Sequence, residues 1–364
     1  MGNAAKTQKF PASEKLPIPD FIDQKYYPSL DGLRAIAIFA VIIAHISGTS
    51  ADFLGFWGVY LFFVRSGFLI TTLLIREKQR TGTISLRLFY ARRALRIFPA
   101  AFFFIIAMLI FNKIYDLGIS NKDFITTALY IKNIPFAMED RSWYLGHFWT
   151  LSVEEQYYLF APLIILVSYS YFRVISVILI LCSYTVAFFA YHERSSLFGL
   201  GSTPLIYAAS LLEFQIPLFI GSLTSLLICE GKIKIPSVGS FLSVLIILVS
   251  LLFQSEYLHF IIPTLFVSTL SSLCFAVLIV SGIQNDGGWF FYILNTNIIK
   301  RIGVLSYSIY IWQQIFTRSQ FLIENNNPPL SMVYNILALL IVSCFSHYVV
   351  ERYFMRLKAS FVPV

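Results

Sequence analysis

Charged residues are scarce in this sequence of 364 residues. Only 13% are Asp, Glu, Lys or Arg, whereas 57% are hydrophobic, and the mean hydropathy is +0.74. A soluble globular domain is typically about 25% charged and about 45–50% apolar. The shortage of charge therefore excludes an ordinary soluble protein and predicts an integral membrane protein.

Cysteine is also rare, and each cysteine lies in an apolar run. The four are Cys182, Cys229, Cys274 and Cys344. Their spacing is not that of a metal site or a redox motif, so we predict no metal site and interpret all four as core residues. The sequence has no convincing repeat, linker or low-complexity tract. We expect one transmembrane domain, 30–356, between a cytoplasmic N-terminal tail, 1–29, and a cytoplasmic C-terminal tail, 357–364.

Long apolar runs dominate the rest of the sequence. A membrane-spanning helix needs about 20 mostly apolar residues, and continuous apolar runs favour helices over a barrel. Ten segments fit this description: 33–50, 56–75, 97–112, 146–167, 174–191, 205–228, 238–253, 258–281, 302–318 and 331–350. The predicted fold is an all-α membrane protein, a single bundle of about ten transmembrane helices. The long polar leader favours a retained first helix over a cleaved signal peptide.

The formal net charge of +8 is explained by membrane topology. Lysines and arginines accumulate in the cytoplasmic loops of membrane proteins. The densest basic cluster lies in segment 76–96. Placing this segment in the cytoplasm puts both chain termini there and leaves few basic residues in the outer loops. The basic excess therefore requires no nucleic-acid partner.

The first apolar segment, DGLRAIAIFAVIIAH, contains two ionisable groups, Arg34 and His45. They are eleven residues apart, which on an α-helix is about 16.5 Å and about three turns, so they lie on one stripe. Asp31 lies one turn before Arg34 and can pair with it. One interpretation is an arginine that reaches the headgroups and a histidine that hydrogen-bonds a neighbouring helix. The other is a two-point site, in which Arg34 binds the phosphates of a long anionic molecule and His45 takes a proton from a hydroxyl group.

The second segment carries Arg65 near its middle, followed by Ser66 and a glycine. Small residues let membrane helices approach closely, which is one role for this pair. A nucleophilic role for Ser66 is the alternative, although no nucleophile-elbow pattern surrounds it. A charge inside the membrane must face a partner or a cavity. We expect Arg65 to pair with Asp31, Glu154 or Glu155, or to bind an anion.

Arg93 and Arg96 lie three residues apart at the end of the basic segment, so on a helix they share a face. They are either ordinary cytoplasmic anchors or a phosphate clamp on the same side as Arg34. The sequence alone favours neither interpretation.

The fourth segment contains His147 and Glu154, seven residues or about 10.5 Å apart on one helical face. Because this helix is expected to run inwards from the outer side, Glu154 should lie at a depth similar to that of His45. A buried carboxylate beside a histidine can orient it and stabilise its protonated form. The alternative is a polar clamp between helices. Glu155 points elsewhere and is expected to be structural.

The ninth segment carries a concentration of polar and aromatic side chains. These are Ser306, Tyr307, Tyr310, Trp312 and Gln313. They either line a cavity for a sugar or a cofactor, or form an aromatic belt whose polar tips are hydrogen-bonded.

Six blocks of the sequence, in order, resemble acyltransferase family 3, whose members O-acylate bacterial surface glycans. The blocks are YYPSLDGLRAIAIFAVIIAH, GVYLFFVRSGFLIT, RRALRIFP, FWTLSVEEQYYL, IGVLSYSIYIWQQ and YVVERYF. The resemblance spans residues 26–356. It implies a multi-pass protein of the bacterial inner membrane with cytoplasmic acetyl-CoA as its acyl donor. The implied acceptor is a hydroxyl group of a polysaccharide, a lipopolysaccharide O-antigen or a related glycan.

The resemblance also implies roles for individual residues. The expected catalytic residues are His45 and Glu154. The expected donor-binding residues are Arg34, Arg93 and Arg96. The expected supporting residues are Asp31, Arg65, Ser66, His147, Tyr158 and Tyr310. His45 acts either as a general base or as a transient acyl carrier, and the sequence does not separate these roles.

Three positions depart from the family pattern. Members often have an acid where Tyr60 stands and an aliphatic residue where Arg65 stands, and many have His where Gln313 stands. Some members carry an additional esterase-like domain. We expect none here, so that any outer transfer step would be done by this domain or by a partner. The alternative function is a glycolipid transporter or flippase without covalent chemistry. We find no inverted repeat and no broken helix pair that would favour it.

Overall fold

The computed structural model describes residues 16–138, 141–193, 211–255, 264–284, 288–317 and 328–358. Within these ranges every regular element is a helix, which confirms the predicted all-α class. The helices are α1 (Pro28–Ser47), α2 (Asp52–Thr81), α3 (Leu86–Tyr115), α4 (Asn121–Ala128), α5 (Pro135–Met138), α6 (Trp143–Gly146), α7 (Phe148–Val167), α8 (Tyr169–Glu193), α9 (Ile216–Cys229), α10 (Ser240–Phe253), α11 (Thr264–Gln284), α12 (Trp289–Leu294), α13 (Asn297–Thr317), α14 (Pro328–Phe345) and α15 (Arg352–Lys358). A π-helix, Ser346–Glu351, joins α14 to α15. Most of the two predicted tails, 1–15 and 359–364, lies outside the described residues.

Seven helices in the described part of the chain are long enough and apolar enough to cross a membrane. They are Pro28–Ser47, Asp52–Thr81, Leu86–Tyr115, Tyr169–Phe189, Leu211–Cys229, Leu265–Gln284 and Ser331–Leu357. Helix α10 is apolar but shorter. Each of the ten predicted segments overlaps a helix. The protein is therefore a multi-pass membrane protein, whereas the number of ten crossings and the cytoplasmic position of the termini stay predictions.

The basic segment 76–96 is mostly helical and not a loop. Helix α2 continues to Thr81, and α3 already begins at Leu86. Helix α2 stops at Gly82, whose φ of 78° lies in the left-handed region that favours glycine. Arginine, lysine, glutamate and glutamine are good helix formers, so the hydropathy falls while the helix continues. Hydropathy therefore located the apolar part of both helices and underestimated their length.

Residues 16–27, predicted as part of a polar tail, pack against the extension of α2. Ile22 is fully buried. Arg76 Nε lies 2.8 Å from Asp23 Oδ1, and Arg76 Nη1 donates to the carbonyl oxygen of Gln24 at 2.6 Å. Helix α1 then begins with a proline, which is favoured in the first helical turn. These contacts fix the beginning of α1 beside α2.

Helix α2 packs most extensively against α9 and α1. Its contact with α9 depends on two glycines. A Cβ atom at Gly67 would overlap the carbonyl oxygen of Leu218, and a Cβ atom at Gly221 would overlap the carbonyl oxygen of Val64. Small residues permit this approach of two backbones. The packing role expected for the glycine after Ser66 is therefore confirmed.

Helix α13 packs along α1 over its length. Near the start of α1, a Cβ atom at Gly303 would overlap the carbonyl oxygen of Asp31, so the two backbones are in direct contact. Near the end of α1, His45 contacts Gln313 of α13. The two helices therefore hold the ionisable groups of α1 in fixed positions relative to α13.

The four cysteines have free thiol groups. Cys229 is buried, as predicted, but Cys182 is exposed on α8, so its assignment to the core is wrong. The outer face of a membrane helix is apolar because it meets lipid, and a small apolar side chain fits there as well as in a core.

Candidate active site

Four arginines line one cavity, towards the end of the bundle where α1 begins. We call it the arginine cavity, and its empty volume is about 820 Å³. Its polar lining residues are Arg34, Arg65, Ser66, Arg93, Arg96, Thr150, Glu154, Tyr158, Ser306, Tyr307 and Tyr310. The structure thus brings together all three predicted donor-binding residues, Glu154 and several of the predicted supporting residues.

Asp31 contacts two of the four arginines. Arg34 Nη1 lies 3.3 Å from Asp31 Oδ1, and Arg65 Nη2 lies 3.7 Å from the same oxygen atom. Arg65 Nε also donates to the carbonyl oxygen of Leu30 at 3.2 Å. Buried charges require such partners because their desolvation is costly. The expected pairing of Asp31 with Arg34 and the expected ion pair of Arg65 are both confirmed.

Arg93 and Arg96 share a face of α3 but have different surroundings. Arg93 Nε lies 3.4 Å from Glu155 Oε1, and the guanidinium carbon lies 3.0 Å from the ring centroid of Tyr158. In the part of the chain that the structure describes, Arg96 forms no ion pair and lines the cavity. Arg96 is therefore the arginine whose charge is most available to an anion. Glu155 has the structural contact expected for it.

His45 lines a second cavity, towards the end of the bundle where α1 ends. This histidine cavity has an empty volume of about 1200 Å³. Its polar and aromatic lining residues are His45, Asp52, Phe56, Arg141, Ser142, Trp143, His147, Trp149, Tyr310 and Gln314. His45 Nδ1 lies 3.1 Å from Gln313 Oε1, and the ring meets Trp143 edge-on with centroids 5.3 Å apart. An amide oxygen only accepts, so this hydrogen bond favours the tautomer that has its proton on Nδ1 and a lone pair on Nε2.

The expected contact between Glu154 and His45 is wrong. The hydrogen-bond partner of His45 is Gln313, and Glu154 lines the arginine cavity instead. His45 lies near the end of α1, and His147 directly precedes α7, so these two histidines lie at matching levels and share a cavity. Seven further residues carry α7 about 10.5 Å along its axis, which places Glu154 beyond the level of His45.

Gln314 orients the second histidine of this cavity. His147 Nδ1 lies 2.5 Å from Gln314 Oε1, and the backbone N–H of His147 donates to the same oxygen at 3.2 Å. Two successive glutamines of α13 therefore each contact a histidine ring. Gln314 was not among the residues predicted from the sequence. The available signal was a pair of glutamines inside an apolar helix, because buried amides need hydrogen-bond partners.

Four further lining residues of the histidine cavity were also missed. They are Asp52, Arg141, Trp143 and Trp149. Trp143 Nε1 donates to the carbonyl oxygen of Gln314 at 2.9 Å. The buried ion pair of Lys132 with Asp123 fixes the segment before Trp143, because Asp123 also accepts from the N–H of Ser142 at 2.9 Å. No short motif connects these residues, so nothing in the sequence marks them as neighbours.

Tyr310 and Val59 line both cavities. The Tyr310 hydroxyl lies 2.6 Å from Thr150 Oγ1 and donates to the carbonyl oxygen of His147 at 3.2 Å. The side chain is buried, and its position is fixed by α7. We call this pair, Tyr310 and Val59, the dividing wall. A molecule that occupied both cavities would pass this wall.

Comparison with protein families gives a match over most of the chain. The family model of acyltransferase family 3, described as an acyltransferase domain, matches residues 27–349. The match covers the helices that line both cavities.

Two relatives from Staphylococcus aureus share the similarity. The chain is 40% identical over 171 residues to the O-acetyltransferase OatA of strain NCTC 8325, which covers 44% of this chain and 27% of OatA. It is 28% identical over 318 residues to a protein of strain COL with the provisional name O-acetyltransferase SACOL0978, which covers 79% of this chain and 50% of that protein. The matched region is thus half or less of the length of these relatives. No solved structure matches this chain.

Proposed function

The chain belongs to acyltransferase family 3, and from this premise we propose that it is a membrane O-acetyltransferase. The reaction moves an acetyl group from acetyl-CoA to a hydroxyl group of an envelope polysaccharide, an O-antigen or a related glycan. The observation that carries this proposal is the pair of cavities that meet at the dividing wall, with arginines in one and His45 in the other. The proposed location is the bacterial inner membrane, with the arginine cavity facing the cytoplasm.

The arginine cavity suits the donor, because arginine binds phosphate through several N–H groups at once. Arg96 makes the direct phosphate contact, since it has no acidic partner in the described part of the chain. Arg34 and Arg93 line the cavity and add to its positive electrostatic potential. Glu154 limits the net positive charge, so the cavity holds an anion without retaining it too tightly to turn over.

The histidine cavity suits the acceptor. Trp143 and Trp149 offer flat apolar surfaces for a sugar ring, and Asp52 and Arg141 offer groups that hydrogen-bond hydroxyl or carboxylate oxygens. The cavity lies at the end of the bundle opposite to the start of α1. In the proposed orientation it therefore opens towards the side where envelope glycans are found.

His45 is the proposed general base. Its Nδ1–H donates to Gln313, which leaves the Nε2 lone pair to take the proton of the acceptor hydroxyl. The acceptor oxygen then bonds to the acyl carbon, the carbon–sulfur bond breaks, and the imidazolium returns the proton to the leaving thiolate. In the alternative sequence, Nε2 attacks the thioester carbon first, the carbon–sulfur bond breaks, and the thiolate leaves as coenzyme A with the proton that the acyl-imidazolium gives up. The acceptor oxygen then bonds to the acyl carbon, the carbon–nitrogen bond breaks, and the acceptor proton goes to the released imidazole. Incubating the protein with labelled acetyl-CoA without acceptor distinguishes them, because only the second traps label on His45.

The test is thiol release from acetyl-CoA by purified protein when candidate glycans are added, followed by mass analysis of the glycans. Wild-type protein should release coenzyme A and acetylate the glycan, and His45→Ala should lose both activities. Arg87→Ala is the matched control, because Arg87 is exposed on α3 and lines neither cavity. Undiminished acetylation by well-folded His45→Ala would refute the mechanism. If wild-type protein transports a glycolipid without consuming acetyl-CoA, the protein is a flippase and not an acetyltransferase.

A further inference from the structure

The arginine cavity holds less positive charge than its four arginines suggest. Asp31 contacts Arg34 and Arg65, Glu155 contacts Arg93, and Glu154 lines the cavity itself. Four guanidinium groups therefore face three carboxylates. Coenzyme A carries a pyrophosphate and a separate phosphate on its ribose. A site for this donor needs further cations close to the arginine cavity.

Two such cations line a third cavity, at the same end of the bundle. This cavity has an empty volume of about 630 Å³ and is lined by Tyr26, Asn297, Lys300, Arg301, Val304, Leu305 and Tyr348. We call it the Lys300 cavity. Within the described ranges of the chain, neither Lys300 nor Arg301 forms an ion pair, unlike most arginines of the first cavity. Tyr26 and Tyr348 are 54% and 51% exposed, so both rings are accessible to a planar ligand.

Two structural connections join the Lys300 cavity to the arginine cavity. The Tyr26 hydroxyl donates to Asp31 Oδ2 at 2.8 Å, and Asp31 Oδ1 contacts both Arg34 and Arg65. Burial of the hydroxyl and this hydrogen bond raise the pKa of Tyr26 to about 12, so the hydroxyl keeps its proton and continues to donate.

The second connection runs along α13. Lys300 and Tyr307 are seven residues apart, which places them on one face about 10.5 Å apart along the axis. Lys300 lines one cavity, Tyr307 lines the other, and Val304 lies between them on the same face. This face of α13 therefore runs from one cavity to the other.

We propose that the Lys300 cavity binds the adenosine 3′,5′-bisphosphate part of coenzyme A. Lys300 and Arg301 contact its phosphate groups, and Tyr26 and Tyr348 contact the adenine ring. The phosphate nearest to the pantetheine arm then lies where this face of α13 enters the arginine cavity and contacts Arg96, and the arm continues within the arginine cavity. This inference rests on the proposed function, because it places the nucleotide of the proposed acetyl-CoA donor.

Direct binding of adenosine 3′,5′-bisphosphate tests the site without any turnover. The probe is titrated into detergent-solubilised full-length protein, and binding is measured by thermal shift and by competition with labelled coenzyme A. The double variant Lys300→Ala/Arg301→Ala should weaken binding of the probe about tenfold or more, because each charge-assisted phosphate contact it removes is comparatively strong. The matched control is Arg87→Ala/Lys232→Ala, which removes two basic residues that line none of the three cavities. Equal binding to the wild type and to the Lys300/Arg301 variant would overturn the proposal.

A truncated donor adds a kinetic test. S-acetylpantetheine lacks the nucleotide, so the double variant should affect it little. The ratio of kcat/KM for acetyl-CoA to kcat/KM for S-acetylpantetheine should fall about tenfold or more in the double variant and stay at its wild-type value in the control. An equal loss for both donors would indicate general damage and would contradict a nucleotide site. If wild-type protein uses neither donor, the proposed function fails, whereas the binding titration still decides whether the site takes the nucleotide.

An anionic lipid headgroup carries a phosphate group, as the nucleotide does, and could bind the same two basic residues. The half-exposed Tyr348 could also contact a lipid. The separating measurement is made in nanodiscs with and without phosphatidylglycerol. A nucleotide site predicts that the loss of binding in the double variant is the same in both lipid compositions. If the double variant instead loses only its response to phosphatidylglycerol and binds the nucleotide normally, the cavity is a lipid site and the proposal is wrong.

Discussion

His45 and Glu154 lie in different cavities, separated by the dividing wall of Tyr310 and Val59. These two residues therefore do not form the histidine–carboxylate pair found in many hydrolytic sites. Gln313 takes the orienting position beside His45, and it is neutral. A neutral partner does not stabilise the imidazolium as a carboxylate would, so the proton taken by His45 should be passed on quickly.

The dividing wall should control passage of the acyl group. We expect Val59→Phe to reduce kcat about 100-fold, because a larger side chain at the wall keeps the thioester away from His45, and small displacements of reacting atoms have effects of this size. The affinity for coenzyme A, which lacks the acetyl group, should be unchanged, because Val59 lines the part of the arginine cavity that adjoins the histidine cavity and does not line the Lys300 cavity. The measurement is steady-state thiol release together with a coenzyme A titration.

The matched variant at the wall is Val59→Ala. It should keep activity with acetyl-CoA and increase the relative rate with propionyl-CoA, because the opening is wider. If Val59→Phe lowers donor affinity and leaves kcat unchanged, Val59 belongs to the donor site and the position assigned to the wall is wrong.

Gln313 should act by positioning His45. Gln313→Leu removes the acceptor for Nδ1–H, so the ring can rotate or adopt the other tautomer, and we expect kcat to fall about 100-fold. The KM for acetyl-CoA should change little, because Gln313 does not line the arginine cavity.

Gln313→Glu provides the control, because it keeps an oxygen acceptor at nearly the same place. It should retain more activity than Gln313→Leu. It should also shift the pH dependence of kcat to higher pH, since a carboxylate stabilises the imidazolium and an amide does not. Equal activity of Gln313→Leu and wild-type protein would show that His45 needs no partner on α13.

Arg93 and Arg96 should separate into a structural and a binding residue. Arg96→Ala should raise the KM for acetyl-CoA about tenfold, because it removes a charge-assisted contact with a phosphate. The thermal stability should not change, because Arg96 forms no ion pair in the described part of the chain. Arg93→Ala leaves the partly buried Glu155 without its ion-pair partner, so it should destabilise the protein by up to about 3 kcal/mol.

Glu155→Gln checks the assignment of Arg93. It breaks the same pair from the other side, and it should lower the thermal stability in the same direction as Arg93→Ala. Combining both changes should then be less damaging than the sum of the two single effects. An Arg93→Ala variant of normal stability and raised KM would place Arg93 with Arg96 as a direct donor contact.

The sequence predicted the contacts that depend on helix geometry within one segment. Arg34 and His45 lie eleven residues apart on α1 and line different cavities, and Asp31 contacts Arg34 one turn away, because a helix fixes these distances. The contacts that were missed join distant segments. His45 and Gln313 are 268 positions apart in the chain, and nothing local in either segment specifies the other.

The wrong depth of Glu154 has a related cause. Counting residues from His147 gives the distance along α7, but the level of α7 relative to α1 is set by packing between helices. The contacts of Tyr310 with Thr150 and with the carbonyl oxygen of His147 fix that level, and they place His147, not Glu154, beside the cavity of His45. A single sequence contains no measure of this offset.

The glycines between α2 and α9 should be required for folding. Gly67→Ala introduces a Cβ atom that overlaps the carbonyl oxygen of Leu218, so the two helices must separate and lose packing along their contact. We expect a fall in the apparent Tm in detergent of several degrees or failure to accumulate in the membrane, since overpacking costs about 1–3 kcal/mol. Gly239→Ala is the control, because a Cβ atom there meets nothing within 4 Å, and its Tm should equal that of the wild type.

Because α2 carries Val59, Arg65 and Ser66, a folded Gly67→Ala variant should also lose acyl transfer. Full activity and stability in Gly67→Ala would mean that α2 and α9 are farther apart than the structure shows.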